Sequence, residues 1–585
     1  MQTTLKYFKM RRFFFYIIIV LFVSFIGCTG EKIKDGNFSI EIYATNDLHG
    51  RIFDSLYTDT TTHAYSLSSV SAYIKQARVR AGEGSVVLLD IGDHLQGDNS
   101  VFYYNYVDTK SEHIFSKVAN YLKYDAVVVG NHDIEAGHPV YDKIVKELNP
   151  PYLAANATDV KTGKPYFEPY TIIVRQGIKI AVIGMTNPNI SKWLSQELWN
   201  GMRFEEIIPL LENLVVDIQR KEKPQLIIAA LHAGLGDENI YQMEDPARYV
   251  AKNVRGIDIV MAAHDHKTVA EFVKNGKDSV LVIEGGSRAS SLSFVKVNLK
   301  VEDGEVVSKS YEPQTIPMER VAADKEYTNK FHAEFLAVKK FTNTVVGRLE
   351  NTVTSRDSYF GSSEYIDMIH TIQLEKSNAD ISFVAPLSLD ITIPAGELNY
   401  QDLLTLYPFE NQLYVIEMTG KEIKDYLEYS YSKWINQMKS ADDHLLNIEV
   451  RGDDGRYRFK NMNFNFDSAA GIIYEVDVQK GDGERITIKS MADGKEFNPE
   501  SKYKVALSSY RANGGGDILE QGAKIPRSEL DGRVINRYSD IRGLIYDKLK
   551  QSGSIKATKL NQWKFVPEKF VKRAAEKDYK LLFRS

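Results

Sequence analysis

The chain has 585 residues, of which 43% are hydrophobic and 26% charged, and its formal net charge is −5. That length exceeds what one hydrophobic core organises, so two domains of unequal size are expected. The charge balance excludes a broad basic footprint for duplex nucleic acid, yet leaves room for one small nucleotide whose charge a local metal site offsets.

At the N-terminus, Lys6, Lys9, Arg11 and Arg12 precede an apolar run over 13–26 that closes on Gly27-Cys28. The run is shorter than the roughly 18 to 20 residues of a spanning helix, and 1–28 reads as a secretory signal. Phe25-Ile26-Gly27-Cys28 resembles a bacterial lipobox, in which the cysteine is acylated and becomes the first mature residue; Phe25 stands where Leu is usual. The resemblance implies lipidation of Cys28 and an exported lipoprotein facing the periplasm or the cell surface, tied to the membrane by its lipid alone. A short anchor with an incidental cysteine is the alternative. Cys28 is the single cysteine, so the mature chain carries no internal disulfide.

From 36 to 310, short apolar β-branched runs end in polar clusters. The runs lie at 39–44, 86–91, 126–129, 180–183, 226–231, 257–262 and 280–283. Each is of strand length and most read as buried on both faces. Helical patterns such as 204–221 lie between them, which predicts a layered α/β domain with its polar clusters at the carboxyl ends of strands. A polar helix at 324–343, within a linker over 320–345, follows. From 346 to 545 strand-like runs at 381–385, 413–418 and 503–508 mix with helices at 363–374 and 420–431, the pattern of a smaller α+β domain. The Lys-rich tail, 546–585, with Trp563 and Phe565, docks on the body or frays.

Five polar clusters follow five of the predicted strands: Thr45-Asn46-Asp47-Leu48-His49-Gly50, Asp90-Ile91-Gly92-Asp93, Gly130-Asn131-His132-Asp133, Leu231-His232-Ala233-Gly234 and Ala263-His264-Asp265-His266. Mixed oxygen and imidazole donors suit divalent ions of the Zn, Mn, Fe or Co type better than Ca or Mg. In Asp47-x-His49 and His264-x-His266, alternate residues of a strand end share one face. Asp93 has two oxygens and can bridge two ions. Two ions about 3.5 to 4 Å apart can activate water near neutral pH and clamp phosphate oxygens. A lone histidine after a strand is more often structural; five clusters in this order are not a coincidence of that kind.

This order resembles that of the calcineurin-like metallophosphoesterases. The resemblance implies one metal site from Asp47, His49, Asp93 and His266, and a second from Asp93, Asn131, His232 and His264. It makes His132 the group that stabilises phosphoryl charge or protonates the leaving group, a role that a partner carboxylate favours by holding imidazolium. In the 5′-nucleotidase branch the partner is an Asp three residues on; here the position is Glu135. Asp133 is expected to pack or orient the loop. His94 is expected as a loop or rim residue, with an extra metal ligand as the alternative.

The resemblance runs from about 36 to 545. Leu406-Tyr407-Pro408-Phe409-Glu410-Asn411-Gln412-Leu413 and Leu507-Ser508-Ser509-Tyr510-Arg511-Ala512-Asn513-Gly514-Gly515-Gly516-Asp517 resemble the substrate-domain motifs of the family. They imply a nucleobase sandwiched by Phe409 and Tyr510, a grip worth about 1 to 3 kcal/mol per base, with Asn411 and Asp517 bonding base or ribose. Core packing of both aromatics is the alternative. The 5′-nucleotidases carry Asn-Gly-Gly-Gly-Ile-Arg after the corresponding Ala-Asp strand. Here Ala379-Asp380 leads instead to Ala385-Pro386-Leu387-Ser388-Leu389-Asp390, with no Arg between Ile381 and Gly396. That stretch, Tyr510-Arg511-Ala512 and 466–474 look more like the 2′,3′-cyclic-nucleotide 2′-phosphodiesterase/3′-nucleotidase branch.

The expected function is dimetal hydrolysis of nucleotide phosphoesters, foremost 2′,3′-cyclic nucleotides and 3′-nucleotides, in nucleotide scavenging. A 5′-nucleotidase or nucleotide-sugar hydrolase on the same scaffold is the second reading. A nucleotide-binding surface protein with little turnover is the third, opposed by seven competent ligand positions. No protein partner is indicated.

Overall fold

Alternation along the first strand sets the architecture. In the computed structural model, which describes residues 33–57, 62–409, 411–451 and 455–583, strand Gly36–Thr45 turns Ile40, Ile42 and Ala44 to one core and Tyr43 to another. Its neighbour Val86–Asp90 does the same, with Val87 and Leu89 inward and Val86 and Leu88 outward. Successive side chains of a strand leave opposite faces, so a strand buried on both sides must serve two cores.

Two six-stranded sheets result. The first runs Glu305–Pro317, Ser291–Glu302, Gly36–Thr45, Val86–Asp90, Ala126–Val128, Tyr152–Leu153; the second runs Thr268–Asn275, Asp278–Gly285, Ile259–Met261, Leu226–Leu231, Ile178–Met185, Tyr170–Arg175. The aliphatic core between them joins Ile42, Val87 and Leu89 to Ile180, Ile228 and Met261. Helix Leu67–Ala81 covers the outside of the first sheet, and Ile207–Lys221 with Ala247–Asn253 covers the second. Four layers, helix–sheet–sheet–helix, therefore bring two sets of parallel strand ends to one rim.

Five strands of these sheets exceed the sequence expectation: the two-residue Tyr152–Leu153, Tyr170–Arg175, Thr268–Asn275 and the long hairpin Ser291–Glu302 with Glu305–Pro317. Three of them are half-exposed edge or near-edge strands, whose mixed polarity hides them among loops. The single polar helix expected at 324–343 is two, Lys325–Lys330 and His332–Thr342, broken at Phe331. Tyr327, Phe331 and Val338 bury into the first domain's core, so these helices are fastened to that domain.

The second domain is built on a mixed sheet, Ser468–Ala470, Ile381–Val384, Lys502–Ser508, Gln412–Thr419, Val534–Asp540, flanked by Glu364–Ser377 and Gly420–Trp434. Its C-terminal end is woven in. Ser554–Ile555 pairs with Val345–Leu349, and Trp563–Val566 pairs with Ile472–Asp477. Helix Glu568–Phe583 supplies Asp578, a buried carboxylate that accepts the backbone N–H groups of Leu445 and Leu446 at 2.8 and 3.0 Å. Among the described residues, no helix is long and apolar enough to cross a membrane. The signal segment and Cys28 lie outside the described residues.

Candidate metal centre

The ligand loops are short, and their backbones bend to aim the side chains. Five of the seven proposed ligands have left-handed backbone: Asp47 (φ +48°), His49 (+44°), Asp93 (+56°), His264 (+82°) and His266 (+58°). Such conformations cost a non-glycine residue about 1 to 3 kcal/mol each and persist only where their surroundings hold them. Asp133 is one such holder. Its carboxylate accepts the N–H groups of Asp93, His94, Leu95 and Gly130 at 2.7–3.0 Å, tying two ligand loops together. Gly92 and Gly130 are required by close approach: a Cβ on Gly92 would lie 2.7 Å from His232 Nδ1, and one on Gly130 would lie 2.1 Å from Asp93 Oδ1.

Two groups of donors converge. Asp47, His49 and His266 form one, and Asp93, His232 and His264 the other; within each group all ligand atoms lie within 4.8 Å of one another. Asn131 Oδ1 sits 3.1 Å from His232 Nε2 and 3.0 Å from His264 Nδ1, inside the second group. His232 and His49 are each oriented through the far nitrogen. His232 donates Nδ1–H to Ile91 O at 2.7 Å, leaving Nε2 for Asp93 Oδ2 at 3.1 Å. His49 Nδ1 meets Gln96 Oε1 at 3.3 Å, leaving Nε2 for the centre.

This donor set fits divalent ions. His49 Nε2 and His266 Nε2 face each other at 3.1 Å, two basic nitrogens that a shared cation reconciles. Two buried carboxylates, Asp47 and Asp93, also call for positive charge. Burial lowers the His232 imidazole, but Asp93 and Asp47 outweigh it and hold it up at about 10, placing on Nε2 a proton that a bound cation would displace. Burial pushes His49 and His266 down, so both stay neutral and able to ligate.

His132 stands beside this centre. Its backbone N–H donates to Asp93 Oδ1 at 2.8 Å, and its Nδ1 is hydrogen-bonded to Glu135 Oε2 one helical turn on. Burial lowers the His132 imidazole, but Asp93 and Glu135 raise it to about 9. The longer arm of Glu135 therefore reaches the histidine from the position where the resembled branch has Asp.

His94 is not at the rim. It is buried, stacks on Phe115 at 3.7 Å and 11°, and meets Asp90 Oδ1 and Tyr152 Oη at 3.2 Å each. Its partners are all in the core beneath the ligand loops, so it is neither a rim residue nor a ligand. Two arginines that sequence reading passed over border the same loops. Arg288, at φ +55°, donates its backbone N–H to Asp47 O at 2.8 Å. Arg51 follows His49-Gly50, and its Nε is buried without a hydrogen-bond partner. No local pattern marks Arg288, because it meets the Asp47 loop only through the fold.

The second domain meets the first at this rim. Gln96 Nε2 donates to Pro408 O at 3.3 Å, and Asn99 Nδ2 to Gln401 Oε1 at 2.6 Å. A narrow cavity is lined by Gln96, His132 and Glu135 from the first domain and Leu404 from the second. Phe409 is part-buried against the second domain's core, and Asn411 Nδ2 bonds Tyr407 Oη at 3.3 Å. Tyr510 lies part-buried over Gly515, whose Cβ would meet its ring at 2.5 Å, and Asp517 is exposed at φ +56°. Among the described residues no ring contact joins Phe409 to Tyr510.

Comparison with known proteins follows the same division. The family model for calcineurin-like phosphoesterases matches residues 40–268, and the one for the 5′-nucleotidase C-terminal domain matches 345–521. A 2′,3′-cyclic-nucleotide 2′-phosphodiesterase/3′-nucleotidase of Yersinia enterocolitica is 24% identical over 85% of this chain and 84% of its own. A 5′-nucleotidase of Vibrio cholerae is 27% identical over 76% of this chain and 88% of its own. The crystal structure of a candidate 5′-nucleotidase of Staphylococcus aureus has the same fold, with a TM-score of 0.75 at 20% identity over 90% of this chain and 99% of its own.

Proposed function

We propose that this chain, which belongs to the calcineurin-like phosphoesterases that carry a 5′-nucleotidase C-terminal domain, hydrolyses 2′,3′-cyclic nucleotides and 3′-nucleotides at its metal centre. The observation that carries a hydrolytic reading is the convergence of two donor groups on one rim with the His132–Glu135 pair beside them. Asp47, His49, His266, Asp93, Asn131, His232 and His264 would hold divalent ions, which when bound would supply Lewis acidity toward a phosphoryl oxygen and a water nucleophile at neutral pH. Ions of the Zn, Mn, Fe or Co type suit this mixture of imidazole and oxygen donors.

The chain's own residues do the rest. His132, with Nδ1–H given to Glu135, keeps Nε2–H to donate to a phosphoryl oxygen as negative charge builds, and then to the leaving oxygen. Glu135 holds the imidazolium in that state. Phe409 and Tyr510 stack the base, and Asn411 and Asp517 bond base or ribose. The 2′,3′-cyclic and 3′ preference is supported by the Ala385-Pro386 stretch, which lacks an Arg up to Gly396, and by relatives named for that activity. Relatives named 5′-nucleotidase keep a second reading open. Export as a lipoprotein through Cys28 is part of the proposal and rests on the sequence of 1–28.

Rates on 2′,3′-cyclic AMP, 3′-AMP and 5′-AMP with defined metals test the reading. The two former should lead; a lead for 5′-AMP reverses the order, and no turnover on these three or on a broad panel that includes nucleotide sugars refutes the enzyme.

A further inference from the structure

His264 is held differently from the other proposed ligands. Its Nδ1 faces the second donor group, with Asn131 Oδ1 at 3.0 Å. Its Nε2 points away, to Glu244 Oε1 at 3.2 Å. The indole of Trp193 covers the ring, with centroids 5.3 Å apart and planes 14° from parallel. His232 and His49 fix their far nitrogens on Ile91 O and Gln96 Oε1, both buried; His264 alone among them uses a carboxylate, half-exposed at the domain boundary.

An imidazole ligates through one lone pair, and the partner of the other nitrogen decides which lone pair is free. With Glu244 accepting Nε2–H, the Nδ1 lone pair is left for the ion. The arm of Glu244 starts from a fixed point, because its backbone carbonyl accepts Gly234 N–H at 3.2 Å and Asn187 Nδ2–H at 3.0 Å. Helix Ile190–Trp193, which ends on the stacking indole, packs against Ser509–Ala512, the short helix that carries Tyr510. The clamp on His264 thus lies between the metal centre and the proposed base platform.

We infer that Glu244 is a positioning residue for the second metal site, fixing His264 in the Nε2–H tautomer while Trp193 sets the plane of its ring. The inference rests on the metal-centre reading above. A rival exists in the same geometry. Glu244, Asp245 and His264 also have ligand atoms within 4.8 Å of one another, so Glu244 could act as a ligand itself. In that case His264 Nε2, which faces away from Asn131, would be the metal-binding atom.

The two are separable without turnover. Metal-loaded full-length protein is titrated with a chelator, with no substrate present, and the ions retained are counted by elemental analysis. Glu244→Ala should release one of its two ions at about 10- to 100-fold lower chelator, the usual cost of losing an outer hydrogen-bond partner. Glu244→Gln, whose amide oxygen still accepts Nε2–H, should stay close to wild type. A Glu244→Ala curve superimposed on wild type overturns the inference. So does Glu244→Gln losing the ion as readily as Glu244→Ala, since the carboxylate would then act as ligand or charge. A wild-type protein that never holds two ions overturns the metal-centre reading itself, a result visible before any variant is made.

Discussion

The two domains fix their functional side chains by opposite means. In the first, ligands sit on strained, left-handed loop residues at the ends of buried parallel strands, and Asp133 locks two of those loops with four backbone bonds. In the second, the proposed base platform is split between the loop before Gln412–Thr419 and the short helix Ser509–Ala512, no ring contact among the described residues joins its two aromatics, and Asp517 is exposed. Metal and phosphoryl chemistry needs donors held within about half an ångström, so rigidity there is worth its strain. Stacking tolerates looser geometry, because any base offers a π-face and binding itself can complete the sandwich.

If that contrast is right, substitutions in the first domain should cost chemistry and those in the second should cost affinity. His132→Asn should show the largest effect, a fall in kcat of about 10²- to 10⁴-fold. Metal content should stay at wild-type level by elemental analysis; loss of metal would mean that the pair with Glu135 serves the scaffold instead. Asp93→Asn should weaken ion binding at both sites and lower activity by at least the ~10- to 100-fold that losing an outer partner alone would cost. Full retention of two ions would remove its bridging role. Phe409→Ala with Tyr510→Ala should raise KM for a nucleotide roughly tenfold or more while sparing a small aryl phosphate. Equal loss on both substrates would break the division between the domains. Asp578→Ala should act only on stability, because it strands two buried N–H groups, each worth about 1 to 3 kcal/mol. A lower melting temperature with unchanged kcat is the expected outcome.

Much of the first domain was legible because its central strands are continuous apolar runs that end in chemistry. Val86–Asp90 and Leu226–Leu231 announce themselves, since residues buried on both faces leave no polar alternation to confuse the pattern. The hairpin Ser291–Glu302 with Glu305–Pro317 did not, since its outer strand is largely exposed and reads like loop. The linker read as one polar helix because Tyr327, Phe331 and Val338 are spaced too sparsely to signal a buried stripe, although all three enter the core. His94 looked available because it follows Asp93; its side chain turns inward to Asp90 and Phe115, a direction no neighbour in sequence reveals.

The sequence by itself determined which residue types reach the centre and in what order, because a ligand at the end of a strand is placed by local backbone and needs no distant partner to be recognised. Tertiary structure decided how they are used. It set His49 against His266 across 217 positions, chose Nε2 of His232 and Nδ1 of His264 through Ile91 and Glu244, and brought Arg288 to the Asp47 loop. Those choices depend on contacts between elements far apart in the chain, and such contacts leave no period or spacing in the sequence that carries them.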